Sequence, residues 1–474
     1  MPPKDSGILR ISLMNLKTST VNPLIFRAYD IRGIAGQDLT EESMYIIGLA
    51  TGTYFIRKGL KEVAVGRDNR LSGEKLQHAF IQGLLKTGGS VTNIGLAFSP
   101  LIYYATCALA FDAGINITAS HNPKEYNGIK IVSKNAHSIA GEELQEICKL
   151  AETENFETGN GIYKEDTSIF EHYLEFIKNN HQLSRPVSVV IDSGNGITGM
   201  FAPTLLRSLG ATVHELYCEL DGNFPNHEAN PELEKNMTDL KKTAVEKKAH
   251  IGIGFDGDGD RIGVVDHTGK FYSADLLLIL LSRDVLSRHP GAKIVFDVKC
   301  SRLLEDDIRK HKGIPIMSKS GHTFMEAKIK QQKALLGGEA SGHMFFAENF
   351  FGYDDALFAA ARTLKILDEQ NSNLKNLLSD LPSLYTSPEI KASCPDHRKF
   401  EVMSEIVDFF KKRYPSITID GIRMNFNDTD WALIRCSNTG PHLTMRFEAQ
   451  TSEGIETMKK IVFEKLKEYK EVNI

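Results

Sequence analysis

One local pattern recurs through the middle of this 474-residue chain and limits what it can fold into. A short β-branched run ends in an acidic or glycine-rich turn, and a helical stretch follows. Val63-Ala64-Val65 leads into Gly66-Arg67-Asp68, and Val187 to Ile191 leads into Asp192-Ser193-Gly194-Asn195-Gly196. Ile251 to Phe255 leads into Asp256-Gly257-Asp258-Gly259-Asp260, and Ile294-Val295-Phe296 into Asp297-Val298-Lys299-Cys300. Continuous apolar strands alternating with helices indicate parallel sheets covered on both faces. Open sheets of this kind place ligands in polar turns at the carboxyl ends of their strands. The length allows three or four domains of ~100–200 residues each.

The last ~90 residues read differently, as an amphipathic helix over 401–414, strand-like runs at 417–419, 431–435 and 443–447, and a Lys/Glu-rich helix from Ser452. Helix, strands and helix predict a smaller α+β domain. Pro382, Ser383, Ser387, Pro388 and Pro395 place a linker between Leu381 and Pro395.

Composition removes several function classes. The 56 Lys+Arg against 61 Asp+Glu leave a net charge of -5, with no basic surplus to track a nucleic-acid backbone. None of the six cysteines forms a C-x-x-C pair, which argues against a zinc ribbon or dithiol site, and scattered thiols fit a reducing cytoplasm. The aliphatic run Leu276 to Leu281 is far short of the ~20 residues a membrane span needs. The first twenty-odd residues carry Lys4, Asp5, Arg10 and Lys17, so they read as a loose arm rather than a signal peptide.

The sequence D-G-D-G-D-R, Asp256 to Arg261, is the strongest chemical feature. Three carboxylates at alternate positions repel one another unless a cation sits among them. The intervening glycines let the backbone curl until they converge, and hard oxygen ligands suit Mg²⁺ or Mn²⁺. An EF-hand is excluded, because its sixth and twelfth positions hold Arg261 and His267. The competing reading is a solvated acidic turn.

A second block, T-A-S-H-N-P from Thr118 to Pro123, presents Ser120 in a loop after Ile115-Asn116-Ile117. It lacks the G-x-S-x-G elbow, and sequence neighbours seldom orient as a nucleophile–base pair, so His121 is a poor base for Ser120. A Ser carrying a phosphoryl group that completes the metal shell fits better; a capping S/N/P turn is the plain alternative. In G-G-E-A-S-G-H, Gly337 to His343, Glu339 and Ser341 are two apart and would share a face of an extended segment, as sugar hydroxyls require. R-C-S-N-T-G-P, Arg435 to Pro441, offers a cation, hydroxyls and turn N–H groups to a phosphate, or is simply a hairpin turn. Arg32, Arg67 and Arg70, in F-R-A-Y-D-I-R-G and G-R-D-N-R-L-S-G, are phosphate anchors or salt-bridge partners. His322 in K-S-G-H is a general acid/base or a structural histidine.

Together these blocks resemble the α-D-phosphohexomutase superfamily, and most closely its bacterial-type phosphomannomutase/phosphoglucomutase group. They occur in family order across residues ~26 to ~450. The resemblance implies three α/β domains with mixed sheets plus a C-terminal α+β domain around a central active-site cleft. The expected divisions are 1–163 with the phosphoserine loop, 164–268 with the metal loop, 269–384 with the sugar loop, and 385–474 with the phosphate-binding loop. It further implies that Ser120 is the phosphoserine, and that Asp256, Asp258 and Asp260 with the Ser120 phosphate hold one Mg²⁺. Arg261 would stand beside the transferring phosphate, with Lys130 and His322 as general acid/base candidates and Tyr29, Arg32, His121 and Lys299 lining the site. Glu339 and Ser341 would hold the ring hydroxyls, and Arg435, Ser437, Asn438 and Thr439 the unreacting phosphate.

The implied reaction interconverts hexose 1-phosphate and hexose 6-phosphate through a hexose 1,6-bisphosphate, which would also serve as activator. The substrate is a small phosphosugar, and the implied enzyme is a cytoplasmic monomer or weak homo-oligomer binding neither nucleic acid nor membrane. Ala340 stands where mannose/glucose mutases often carry Met and glucosamine mutases Gln, and Ser320 and Gly440 replace commoner polar residues. Mannose is the favoured sugar, with glucose beside it. The alternatives are a phosphoglucosamine mutase, an aspartyl-phosphate phosphatase using Asp256 as nucleophile and Asp258 as acid/base, and a non-enzymatic sugar-phosphate sensor.

Overall fold

A computed structural model describes residues 21–437 and 440–474. The N-terminal arm, together with Asn438 and Thr439, lies outside the described residues. Four sheets follow one another along the chain. The first has the order Ile31–Ile34, Tyr126–Ser133, Ala113–Ile117, Glu62–Arg67, Ser90–Leu96, Tyr163–Glu165. The second runs Phe271–Tyr272, Ile262–Asp266, Ile251–Phe255, Ser188–Asp192, Thr212–Leu216, and the third Ile314–Ser318, Lys293–Asp297, Leu336–Gly338, Met344–Phe346.

In each of these three sheets the inner strands are parallel and buried, as their unbroken apolar runs predict, and an antiparallel strand is added at one side. After Asp256–Arg261 the chain therefore enters a second strand, Ile262–Asp266, rather than the helix that the repeating pattern anticipates. The reason is local: Ile262-Gly263-Val264-Val265 is itself a β-branched, fully buried run.

The fourth sheet is wholly antiparallel, with helices Asp396–Lys411 and Ser452–Leu466 against it. The stretch expected as a linker, Leu381 to Pro395, contributes two short strands to it, Tyr385–Thr386 and Ile390–Ser393. Proline 388 separates the two, and both pair with the outer side of His442–Ala449, where a missing N–H costs no ladder bond.

One apolar core joins the first three sheets, helices Glu41–Arg57, Gly73–Lys86 and Glu142–Thr153 build a separate core on the other face of the first sheet, and the fourth sheet has a core of its own around Val402, Phe410, Met445 and Phe447. Phe98 shows the continuity, with its ring 5.3 Å from Tyr173 and 5.1 Å from Phe201. Such aromatic pairs add about 0.5–1.5 kcal/mol each beyond their buried area. The fourth unit docks by a small apolar cluster of Val298, Trp431 and Leu433 and by polar contacts, with Arg423 donating at 2.8 Å to the carbonyls of both Val298 and Cys300. All six cysteines are free thiols, and among the described residues no helix is long and apolar enough to cross a membrane.

Candidate active site

Four loops meet in one cleft of about 680 Å³, ample for a phosphosugar. Each is the hairpin connection by which a strand passes to an antiparallel neighbour: Ala113–Ile117 to Tyr126–Ser133, Ile251–Phe255 to Ile262–Asp266, Leu336–Gly338 to Met344–Phe346, and Trp431–Cys436 to His442–Ala449. In the first three, the leading strand also pairs in parallel on its other side, so the loop leaves the carboxyl end of a parallel strand.

Ser120 occupies the left-handed region (φ 52°) and is 2% exposed. A non-glycine residue holds that conformation only when its surroundings fix it, and Arg70 does so. Its buried guanidinium donates to the carbonyls of Ser120 (2.7 Å), Asn122 (2.6 Å), Pro123 (2.8 Å) and Tyr126 (3.0 Å), and to Asp68 at 3.2 Å. Arg70 is thus a stay behind the serine loop, the salt-bridge reading rather than the phosphate one. Arg67 likewise turns to a carbonyl, that of Asp68, at 3.1 Å. Arg70→Met would leave Asp68 buried and unpaired, a loss of about 3–5 kcal/mol. We expect a lowered thermal unfolding temperature and turnover reduced about tenfold by loosening of the loop. An unchanged melting curve would contradict this account.

The Ser120 hydroxyl donates to Asp256 Oδ2 at 2.7 Å, and His121 Nδ1 lies 3.1 Å from Ser120 Oγ. The left-handed turn thus brings together the sequence neighbours Ser120 and His121, contrary to the expectation for adjacent residues. Asp256 nevertheless takes the single hydroxyl hydrogen, so His121 is the donor. Burial, with Arg261 and Arg32 nearby, pushes the His121 pKa well below its usual value. The acidic loop reaches Ser120 only because residue 257 is glycine: a Cβ there would sit 2.3 Å from the Ser120 carbonyl oxygen.

Asp256, Asp258 and Asp260 each offer an oxygen to a common point, all within 4.8 Å of one another. Asp256 Oδ1 accepts the backbone N–H groups of Asp260 and Arg261, which curls the loop. Asp258 is fixed by Ser99, and Lys130 bridges Asp258 and Asp260. Among the described residues, Oδ1 of Asp258 and Oδ1 of Asp260 are buried with no hydrogen-bond partner. Burial and the two neighbouring aspartates push the Asp256 carboxyl well above its usual range. Hard oxygen donors, crowded like charge and orphaned buried oxygens are the donor set of a divalent cation such as Mg²⁺. Burial works against charge on Lys130, but Asp258 and Asp260 outweigh it and hold the ammonium well above its usual pKa.

Across the cleft, His322 begins a helix and packs edge-on against Tyr29 (4.8 Å between rings), and burial lowers its pKa to about 4. Its imidazole is therefore neutral near pH 7. Arg32 pairs with Asp30 and donates to Asn122 Oδ1 at 2.9 Å. Glu339 and Ser341 both line the cleft, but from a tight turn rather than an extended segment. Gly342 (φ 108°) closes that turn, with the Gly342 N–H donating to the Glu339 carbonyl at 3.0 Å. Glu339 also accepts the Gly321 N–H at 2.6 Å, tying the sugar loop to K-S-G-H.

In the fourth unit, Arg435 donates to Asp420 at 2.7 Å, and Lys399 holds the turn through the carbonyls of Ser437 (2.8 Å) and Gly440 (3.1 Å). Arg435 and Ser437 line the cleft with Tyr29, Arg32, Lys130, Arg261 and Lys299. The expected roles of Asn438 and Thr439 lie outside the described residues.

Sequence reasoning missed several groups here. Glu232 faces Arg261 (3.4 Å) and Lys299 (3.8 Å) from an irregular segment without periodicity. Glu389 reaches Lys299 (3.6 Å) from the stretch expected as a linker. His343 stands inside G-G-E-A-S-G-H yet carried no expectation, and Asp354 beside it belongs to no motif.

The chain's likeness to known proteins covers the same ground. Residues 23–158, 171–269 and 273–385 match, in order, the alpha/beta/alpha domains I, II and III of phosphoglucomutase/phosphomannomutase. The phosphomannomutase/phosphoglucomutase of Pseudomonas aeruginosa is 42% identical over 452 residues, covering 95% of this chain and 97% of its own. The phosphoglucomutase of Neisseria gonorrhoeae is 42% identical over 439 residues, 91% of this chain and 94% of its own. A solved phosphoglucomutase/phosphomannomutase family protein from Burkholderia thailandensis superposes with a TM-score of 0.89 at 37% identity, covering 95% of this chain and 98% of the other. By sequence over nearly its whole length and by fold, the chain belongs to the phosphoglucomutase/phosphomannomutase family, enzymes that interconvert hexose 1- and 6-phosphates.

Proposed function

We propose that this enzyme acts on mannose and glucose phosphates and carries the migrating phosphoryl group on Ser120. The observation that carries the reading is the Ser120 hydroxyl, 2.7 Å from Asp256 Oδ2 and facing a cleft that also gathers Arg32, Lys130, Arg261 and His322. Phosphoserine 120 gives its phosphoryl group to the free hydroxyl of a hexose monophosphate: the bond from phosphorus to the serine oxygen breaks, and one to the sugar oxygen forms. The resulting hexose 1,6-bisphosphate turns over in the cleft and returns its other phosphoryl group to Ser120.

His322, neutral near pH 7, can take the proton of the attacking hydroxyl, while Lys130, the other acid/base candidate, is held charged by Asp258 and Asp260 and offers positive charge more readily than a proton. Arg261 and Arg32 balance charge on the phosphoryl oxygens of a loose transition state. Asp256, Asp258 and Asp260 would hold Mg²⁺, which supplies electrostatic stabilisation of the transferring group. Glu339 and Ser341 hold ring hydroxyls, and Arg435 with Ser437 holds the distant phosphate at either end of the sugar. The free cysteines favour a cytoplasmic setting.

Coupled assays test the sugar preference. Mannose 1-phosphate and glucose 1-phosphate should turn over with kcat/KM at least ~10-fold above glucosamine 1-phosphate, since the small Ala340 adds no polar contact for an amino group. A dephosphorylated preparation should regain activity with glucose 1,6-bisphosphate. The reverse ranking would favour the phosphoglucosamine mutase.

A further inference from the structure

We infer that Asp420 is a positioning residue that holds Arg435 at a fixed distance from the sugar loop, acting through the backbone of K-S-G-H. The inference rests on the reading above, in which Arg435 grips the phosphate that is not reacting. Asp420 Oδ2 accepts from Arg435 Nε at 2.7 Å and from the Ser320 N–H at 3.2 Å. One carboxylate oxygen therefore joins the phosphate turn of the fourth unit to a loop of the third sheet. Arg435 and Ser320 line the catalytic cleft, whereas Asp420 lines a separate groove with Lys319, Phe324 and Phe400. Asp420 thus reaches the site from outside and acts on a substrate only through Arg435.

The turn that carries Asp420 is shaped for this contact. Gly421 follows it in the left-handed region (φ 68°), and a Cβ there would stand 2.1 Å from the Ile434 carbonyl oxygen and 2.7 Å from the Arg435 Cα. Only glycine lets the chain lie that close to Trp431–Cys436. Strand Ile422–Asn425 then continues antiparallel to it, with Ile422 opposite Ile434. The Arg435 side chain is 7% exposed and that of Asp420 15%, so water and salt compete less than at a surface ion pair. Burial disfavours charge on Arg435, but Asp420 outweighs it and raises the guanidinium pKa. With Nε held by Asp420, a phosphate in the cleft meets the outer nitrogens of the planar fork.

The other end of this strut is tied to the sugar loop. The adjacent N–H groups of Ser320 and Gly321 divide between Asp420 and Glu339 Oε1, the latter at 2.6 Å. Ser320 Oγ donates to Asp297 Oδ2 at 2.5 Å, and Asp297 Oδ1 accepts the Ala340 N–H at 3.1 Å. Sugar loop, K-S-G-H and phosphate turn form one hydrogen-bonded chain. It sets the spacing between the groups that hold the ring and the cation that holds the distant phosphate. That spacing must stay constant while the bisphosphate presents first one end and then the other.

The distant phosphate is gripped alike before and during phosphoryl transfer, so losing its alignment removes uniform binding. For Asp420→Ala we expect KM for mannose 1-phosphate and for mannose 6-phosphate to rise about tenfold or more, with kcat within about threefold. Both bonds end on one oxygen, which the amide oxygen of Asp420→Asn can replace. That variant should keep KM within about threefold of the wild type. A pair that served stability alone would lower the unfolding temperature and leave KM unchanged in both variants. Asp420→Ser serves the same measurement if the alanine variant does not fold.

The double variant Asp420→Ala/Arg435→Lys should show a KM no higher than Arg435→Lys alone, because both changes spoil the same placed guanidinium. Multiplicative increases in KM, a wild-type KM in Asp420→Ala, or an Asp420→Asn enzyme as impaired as Asp420→Ala would each overturn the proposal. An Arg435→Lys enzyme with wild-type KM would instead fault the grip assigned to Arg435, and the role of Asp420 would fall with it.

Discussion

In Ser120→Ala, mutase turnover with mannose 1-phosphate is expected to fall by ~10⁴-fold or more, the scale on which removing a nucleophile acts. The variant should fold normally. The side chain lost is small, and the Arg70 contacts that shape the loop go to backbone carbonyls that alanine retains. Losing the hydrogen bond to Asp256 costs about 1 kcal/mol. The neighbouring Thr118 cannot substitute, because its Oγ1 is turned to Asp68 at 2.6 Å and to the Ser120 N–H at 3.0 Å. Assays should include glucose 1,6-bisphosphate, so that loss of priming is not mistaken for loss of the nucleophile, and peptide mass mapping should place a phosphoryl group on Ser120 of the wild type. A fully active Ser120→Ala beside an inactive Asp256→Asn would transfer the nucleophile's role to Asp256 and revive the phosphatase reading.

The parts of this site legible in the sequence share one physical property. Asp256 to Arg261, Thr118 to Pro123 and Gly337 to His343 each leave a strand at its carboxyl end, where polar and glycine-rich residues interrupt an apolar run. Such an interruption is visible in a linear string, and so were the sheets it punctuates. The hairpins were not, because Ile262–Asp266 and Met344–Phe346 are short buried strands whose patterns do not declare direction. Glu232, Glu389 and Asp354 were hidden for another reason. Each lies in irregular chain outside any motif, and only the folded arrangement sets it against Arg261, Lys299 or His343. Arg70 was visible as a charge and misjudged in scope. Its four loop carbonyls come from a segment some fifty residues away, a meeting that the parallel pairing of Glu62–Arg67 with Ala113–Ile117 creates.

Burial of the acidic loop after Ile251–Phe255 forces the metal question. Three carboxylates with oxygens within 4.8 Å of one another repel by at least about 3.5 kcal/mol per pair at an effective dielectric constant of ~20. Lys130 bridges two of them, and among the described residues Asp256 is hydrogen-bonded by the Ser120 hydroxyl and two backbone N–H groups. Chelation should therefore cost both activity and stability. We expect treatment with a chelator to lower turnover by ~10³-fold or more, through loss of the charge stabilisation assigned to the cation. Adding Mg²⁺ at about 100 times its dissociation constant should restore turnover and stabilise the folded enzyme by about 2.7 kcal/mol, read as a rise in unfolding temperature. Asp258→Asn and Asp260→Asn each remove a charge and a ligand oxygen. Both should lose the Mg²⁺-dependent rise, and neither should regain wild-type turnover at any Mg²⁺ concentration. Neutralising one member also relieves the repulsion, so without metal these variants should melt no lower than the wild type, unless the lost ion pair to Lys130 outweighs that relief. The comparison between Asp256→Asn, which has no Lys130 contact, and the other two separates those terms. Full activity in chelator, with a melting curve indifferent to Mg²⁺, would mean that Lys130 alone balances the cluster and that the orphaned oxygens of Asp258 and Asp260 hold no cation.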